Sequence, residues 1–380
     1  MDDLVKIDAA LCSIVRGEPD IAVQWPDHTP EDLIWARIGF HGIVGILDQN
    51  SDQFADWPAD LRERIRQESR LIGLWEETHK QCVTAMLQAV ASSNVETILM
   101  KGTALAYTHY TDPALRRRGD TDLLVRKQDL KSIRATLANL GWSRREQAHG
   151  LIYQETWLFD TGARFVHELD LHWQPIDSPL LQSVLRIEEF FANPRSVARL
   201  SDAAFTCSPI HTLVQLALNQ AWHRTRGLAV DGAKVVGGWR LIWACDYDLL
   251  LRDFDEAEWS QLVQISQDRN ITPIIGQSID SAARSLSTPI PTWVRDELKK
   301  QPIDKTVTHY LSHPDLIAEF EINFRAAKTI REKLRLFWVN AFPLRGHLVM
   351  KYPSMKNWPT IALHGRRIFE TIKRTGRQHR

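Results

Sequence analysis

Cysteine is scarce, with 4 in 380 residues. Cys12, Cys82, Cys207 and Cys245 form no CxxC pair, which argues against a zinc-finger ligand set. A chain of this length also has little need of a disulfide framework. No run of 18 apolar residues occurs, which argues against a membrane span, and no membrane partner is expected. The start, Met-Asp-Asp, has no basic segment leading into an apolar stretch, so no secretory signal is expected and the cytoplasm is the default address. Net charge is also missing: 47 Lys and Arg balance 47 Asp and Glu. No global field therefore draws the chain onto nucleic acid, and such a substrate would need a local basic patch. Internal repeats and low-complexity tracts are absent.

What is there is an ordinary globular balance, 44% hydrophobic and 25% charged, over a length that suits two or three structural units. Residues 1–94 read as helical, with Leu71, Trp75, Cys82 and Met86 on one stripe. Near Val95 the period changes. Val95 to Met100 reads as a strand, broken at Gly102 before a short helix, and Asp112-Pro113 marks a turn. Leu123 to Val125 reads as a buried strand. The helix after it carries Leu130, Ile133, Leu137 and Leu140 on its apolar face and closes at Gly141. Leu151–Phe159 and Arg164–Trp173 read as two further strands. From Pro209 the helical period returns, with a glycine-rich stretch, Gly227–Gly238, expected as a mobile loop. The expected class is α+β: a small mixed sheet over residues 95–200, between helical regions at 1–94 and 201–380.

The chemistry concentrates in three short stretches: Lys101-Gly102-Thr103-Ala104-Leu105, then Arg116 to Val125 through Gly119-Asp120-Thr121-Asp122, then His167 to Trp173. Side chains alternate along a strand, so Asp120 and Asp122 share one face, ~7 Å apart, and repel unless a cation compensates them. By the same parity Glu168, Asp170 and His172 share a face of the later strand. If the two strands pair, ~4.8 Å apart, Asp170 completes a three-carboxylate site, placed at the sheet's edge, for Mg²⁺ or Mn²⁺. Gly102, between strand and helix, lets backbone approach a phosphate, and the helix N-terminus offers free N–H donors. Thr103 supplies a hydroxyl, while Lys101 and Arg116 supply cations for phosphate oxygens.

Taken in order, these stretches resemble the polymerase-β-like nucleotidyltransferase superfamily, and within it a bacterial family of uncharacterised nucleotidyltransferases. The likeness lies in the KGxAL segment, the turn Tyr110-Thr111-Asp112-Pro113-Ala114-Leu115-Arg116, the GDxDLLV strand and the Asp170-Leu171-His172-Trp173 strand. Looser matches flank them, at His41-Gly42-Ile43-Val44 and in the helix of Asp246. Thr103 stands where Gly or Ser is commonest, and the interval from Gly102 to Asp120 is longer than in many members. The resemblance implies metal-dependent transfer of a nucleoside monophosphate, with Asp120, Asp122 and Asp170 as catalytic metal ligands and Lys101, Gly102, Thr103 and Arg116 binding the nucleotide.

ATP is the expected donor; the acceptor stays open among small molecule, peptide, protein and RNA. A kinase-like tailoring enzyme, a nucleotide-binding module without turnover and a toxin-like enzyme acting on transfer RNA are the rival readings. His172 either orients a carboxylate or makes a structural hydrogen bond. Asp246, with Asp248 and Arg240 nearby, reads either as a buried ion pair or as a substrate contact. His223, Arg224 and Arg226 read as a solvated helix end, with phosphate contact the alternative, and the basic tail from Arg366 as a solvated helix face or frayed terminus, with a nucleic-acid or partner contact the alternative.

Overall fold

The apolar alternation between residues 95 and 206 builds one seven-stranded mixed sheet in the computed structural model, which describes residues 2–18, 23–26, 29–145, 152–162, 165–230, 233–235, 237–343 and 345–378. Its strands are β1 (Thr97–Met100), β2 (Asp120–Val125), β3 (Ser143–Arg144), β4 (Gln154–Asp160), β5 (Val166–His172), β6 (Arg195–Ser196) and β7 (Phe205–Thr206). They lie in the order β3-β4-β5-β2-β1-β7-β6. The β2–β5 and β1–β7 pairs are parallel and the others antiparallel.

Helices α1 (Asp2–Arg16), α2 (Glu31–His41), α3 (Val44–Gln49) and α4 (Ala59–Ser92) precede the sheet. Within it run α5 (Lys101–Thr108), α6 (Leu130–Asn139) and α7 (Ile187–Ala192). After it come α8 (Pro209–Arg226), the hairpin β8 (Leu228–Val230) and β9 (Ala233–Val235), α9 (Leu241–Arg252), α10 (Glu256–Asp268), α11 (Thr272–Leu286) and α12 (Thr292–Leu298). The chain ends with α13 (Thr306–Ser312), α14 (Leu316–Ala326), α15 (Ile330–Ala341), α16 (Arg345–Lys351) and α17 (Thr360–Gln378). No helix among the described residues is long and apolar enough to cross a membrane.

Strand parity divides the interior into two cores. Leu99, Leu123, Val125, Leu169 and Leu171 point to one side, where Val83 and Leu87 of α4 and Ile133 and Leu137 of α6 meet them. Ile98, Met100 and Leu124 point to the other side, into a core shared with Leu213 and Val214 of α8 and Tyr247 of α9. Ile7, Leu11 and Ile34 of the first two helices belong to that second core too.

Two expectations are corrected. Asp120 and Asp122 stand at the N-terminal end of β2, but β2 is an interior strand flanked by β5 and β1, not an edge. The Gly227–Gly238 stretch, expected as a loop, carries the antiparallel hairpin β8–β9, with Leu228 opposite Val235. The observed strands β4 and β5 are shorter than those read from sequence; Leu151 and Arg164 lie outside the described residues.

Candidate active site

Parallel pairing of β2 with β5 sets the register of the acids: Asp120 lies opposite Glu168, and Asp122 opposite Asp170. All four belong to the face that carries Leu124, so they look toward α8 and not into the core beneath α4. Asp170 therefore stays out of that core and converges on Asp122. Ligand atoms of Asp122, Asp170 and His172 all lie within 4.8 Å of one another. Asp120 is outside that tight group but lines the same clefts.

Asp122 is buried, 4% exposed. Its Oδ1 accepts from Lys101 Nζ at 2.5 Å and faces His172 Nε2 at 2.9 Å. Burial pushes this carboxyl upward, but Lys101 and His172 overcome that and hold it well below the usual carboxylate range. Asp120 has no such partner. Burial, then the charges of Asp122 and Asp170, raise its carboxyl to about 7. Asp170 accepts from Thr156 Oγ1 at 2.6 Å and from Gln154 Nε2 at 3.4 Å, both on β4. Glu168 is turned to the Arg145 guanidinium, at 3.0 and 2.7 Å, which occupies it outside the cluster.

Lys101 sits at the junction of β1 and α5 with φ of +49°, in the left-handed region that a lysine enters only when its surroundings impose it. That backbone turn brings its ammonium back onto Asp122. Burial opposes the charge, yet Asp122, with Asp120 and Asp170 beyond it, holds the ammonium above the ordinary lysine range. Gly102 has no positive φ. A Cβ built there would lie 3.6 Å from the Arg116 guanidinium, an ordinary contact, so the fold itself does not demand glycine.

Arg116 and Thr103 are placed differently from the simple expectation. Arg116 gives its fork to Asp246 on α9, Nε to Oδ1 at 2.7 Å and Nη2 to Oδ2 at 2.8 Å, while Nη1 donates to the Arg117 carbonyl. Tyr110 adds its hydroxyl to the same Asp246 at 2.8 Å. The guanidinium still borders the cleft beside Gly102, but its directed bonds run to α9. Of the two readings of Asp246, the ion pair is the one seen. Thr103 is buried: its hydroxyl donates to the Asp120 carbonyl, lies 3.0 Å from Thr121 Oγ1 and accepts from Arg118 Nε. It braces the start of β2 from below. Helix α4 braces it too: Glu76 takes Arg118 at 2.7 Å and Tyr107 at 2.5 Å, and His79 meets Thr121 at 2.8 Å.

Two cavities meet at these residues, sharing Lys101, Asp120, Asn219, His223 and Leu228. The larger, about 520 Å³, is rimmed by Arg116, Arg117, Arg118 and Arg240, with Gln220 and Trp243 on its helical wall. The smaller, about 350 Å³, lies on the Asp170 and His172 side, against Gln215 and Trp222. Arg117, Arg118, Gln220 and Trp243 were not singled out from sequence. The arginine run was a usable signal for the first two, whereas Gln220 and Trp243 come from helices about a hundred residues further on. His223, read as a helix end, lines both cavities. Arg224 and Arg226 are engaged elsewhere, by Gln277 and Glu319.

The model of one protein family, the uncharacterised nucleotidyltransferases, matches residues 27–287, from ahead of α2 through α11. No curated protein and no solved structure matches the chain. The match covers more than half of the chain and contains the whole acidic cluster with both cavities. This chain belongs to the uncharacterised nucleotidyltransferase family.

Proposed function

We propose that the chain transfers a nucleoside monophosphate from a nucleoside triphosphate, ATP foremost, to an acceptor hydroxyl or phosphate, releasing pyrophosphate, on a sheet of polymerase-β type. The observation that carries this reading is the in-register pair Asp122 and Asp170, set beside Lys101 at the mouth of an arginine-rimmed cavity. Residues 95–200 supply the acids, and the helices of 1–94 and 201–380 wall the cleft.

The donor set suits a divalent cation. Two carboxylates and one imidazole lie within reach of a common point, and Asp120 retains its proton to about pH 7 because burial, and then the charges of Asp122 and Asp170, disfavour its ionised form. Mg²⁺ or Mn²⁺, held by Asp122 and Asp170 with Asp120 and His172, would polarise the α-phosphate and activate the attacking oxygen. Asp120 joins that set by giving up its proton. Thr156 and Gln154 hold the Asp170 carboxylate in place, and Lys101 would be the cation that meets phosphate oxygens beside Asp122.

Base recognition falls to the larger cavity. Gln220 is 1% exposed, and neither its Nε2 nor its Oε1 has a hydrogen-bond partner. An amide with both a donor and an acceptor open matches the paired acceptor and donor on an adenine edge. Trp243 on the same wall gives a surface on which a base can stack.

The test is incubation with each α-labelled nucleoside triphosphate, Mg²⁺ or Mn²⁺ and cell extract. Wild type should pass label to one acceptor, with ATP the best donor, and Asp122→Asn should pass at least ~10³-fold less. Release of ADP in place of pyrophosphate would instead favour phosphoryl transfer.

A further inference from the structure

Charge in this chain is balanced overall but not along its length. Residues 328–380 hold 13 of the 47 Lys and Arg and only 2 of the 47 Asp and Glu. Chain-wide neutrality thus conceals an excess of 11 positive charges in the sequence of residues 328–380. The same segment exposes large apolar side chains out of proportion to its length. On α15, Ile330 is 74% exposed, Leu334 62%, Phe337 52% and Trp338 63%. These positions fall on one helical face, at i, i+4, i+7 and i+8. Nearby, Ile361 and Phe369 of α17 and Trp358 just ahead of it are also exposed.

This face is outward by construction of the fold. The opposite side of α15 is anchored, with Leu336 buried in the sheet core beside Trp173 and Ala327. α17 is tied to the end of α15 by Arg367, which donates to the Ala341 and Asn340 carbonyls. Phe342 closes the seam, with its ring 4.7 Å from Trp338 and 6.0 Å from His364. Lys328 and Arg331 are exposed at the start of α15, and Lys356 and Arg366 on the neighbouring segment.

We propose that α15 and α17 form a docking face for an anionic phospholipid surface, which holds the enzyme on the membrane without crossing it. Exposed Trp, Phe, Leu and Ile beside clustered Lys and Arg are what an interfacial helix needs: the apolar side chains enter the acyl boundary and the cations meet the headgroups. Two other occupants fit less well. A nucleic acid would use the cations but leave Ile330, Leu334 and Ile361 facing phosphate and water. A second copy would cover the apolar face but would oppose two surfaces of strong like charge.

The experiment is co-sedimentation of the full chain with phosphatidylcholine vesicles, with and without phosphatidylglycerol. Binding to the anionic vesicles should exceed that to the neutral ones by about tenfold or more. Each cation near an anionic surface is worth about fivefold, so Lys328→Glu with Arg331→Glu should reduce binding by at least tenfold. Leu334→Ser with Phe337→Ser should do the same without lowering the thermal midpoint, because both side chains are exposed. Failure to sediment, equal sedimentation with both vesicle types, insensitivity to either pair of substitutions, preference for single-stranded RNA in competition, or a stable dimer by light scattering would each overturn the proposal.

Discussion

Arg116 and Asp246 offer a direct test of what orders the cleft. Asp246 is fully buried and takes three hydrogen bonds, at 2.7, 2.8 and 2.8 Å, from Arg116 and Tyr110. Asp246→Asn preserves shape but removes the charge that compensates the guanidinium. Breaking a buried pair from one side costs about 3–5 kcal/mol, since the remaining charge stays desolvated. At about 2 °C per kcal/mol for a long chain, the thermal midpoint should fall by roughly 6–10 °C. Replacing both partners, Arg116→Met with Asp246→Leu, leaves the Tyr110 hydroxyl without its acceptor and the Arg117 carbonyl without the Nη1 donor, and should cost about 1–3 kcal/mol. With the Arg116→Met and Asp246→Leu singles each costing about 3–5 kcal/mol, the pair should show a coupling of at least ~3 kcal/mol in urea unfolding followed by tryptophan fluorescence. If Asp246→Asn unfolds at the wild-type urea concentration while Arg116→Met weakens triphosphate binding, the ion pair is not what places Arg116, and its cation serves phosphate directly.

Asp120 should make cation binding depend on pH. Its folded carboxyl, near 7, lies above its ordinary value of 3.8, so its protonated form is favoured in the folded chain. That contribution is complete below about pH 4 and is lost as pH rises through about 7, where the cation-free protein is least stable. A cation must displace the proton below 7, so apparent Mn²⁺ affinity should fall about tenfold per pH unit there and level off above. Midpoint shifts with Mn²⁺ at pH 6 and pH 8 check this; equal shifts would refute it. Asp122, depressed instead, contributes stability lost only below its ordinary value and leaves this window clear. Gly102→Ala should change urea stability by less than ~1 kcal/mol, because its Cβ finds ordinary contacts, yet raise the KM for triphosphate severalfold if phosphate approaches that backbone. An unchanged KM would remove Gly102 from the nucleotide site.

Legibility in the sequence followed the range of the interactions. Strand parity alone put Asp120 with Asp122 and Asp170 with His172, because alternation is local. The parallel pairing that brings Asp122 opposite Asp170 joins segments about fifty residues apart, and sequence could pose it only as a condition. That Arg116 is held by Asp246 could not be read, because this partner lies 130 residues away on α9. Thr103 reads as a free hydroxyl for phosphate, and nothing local reveals that Arg118 and Thr121 engage it. The left-handed Lys101 was hidden as well: local preference puts glycine in that conformation, and tertiary contact placed it one residue earlier. β7, two residues long, has too little pattern to be read at all.

The second core has a consequence for how the molecule can be divided. Ile7, Leu11 and Ile34 pack with Leu213 and Tyr247, so the chain's opening helices are stapled to helices that arrive two hundred residues later. Arg240 repeats the stitch by donating to the Phe40 carbonyl, and the cleft's larger cavity touches Gly39 at that seam. A fragment trimmed to the strands and their acids would keep the residues that name the family while shedding a wall that its substrate would rest against. On the proposed activity, competence would belong to the whole wrap and not to the sheet alone.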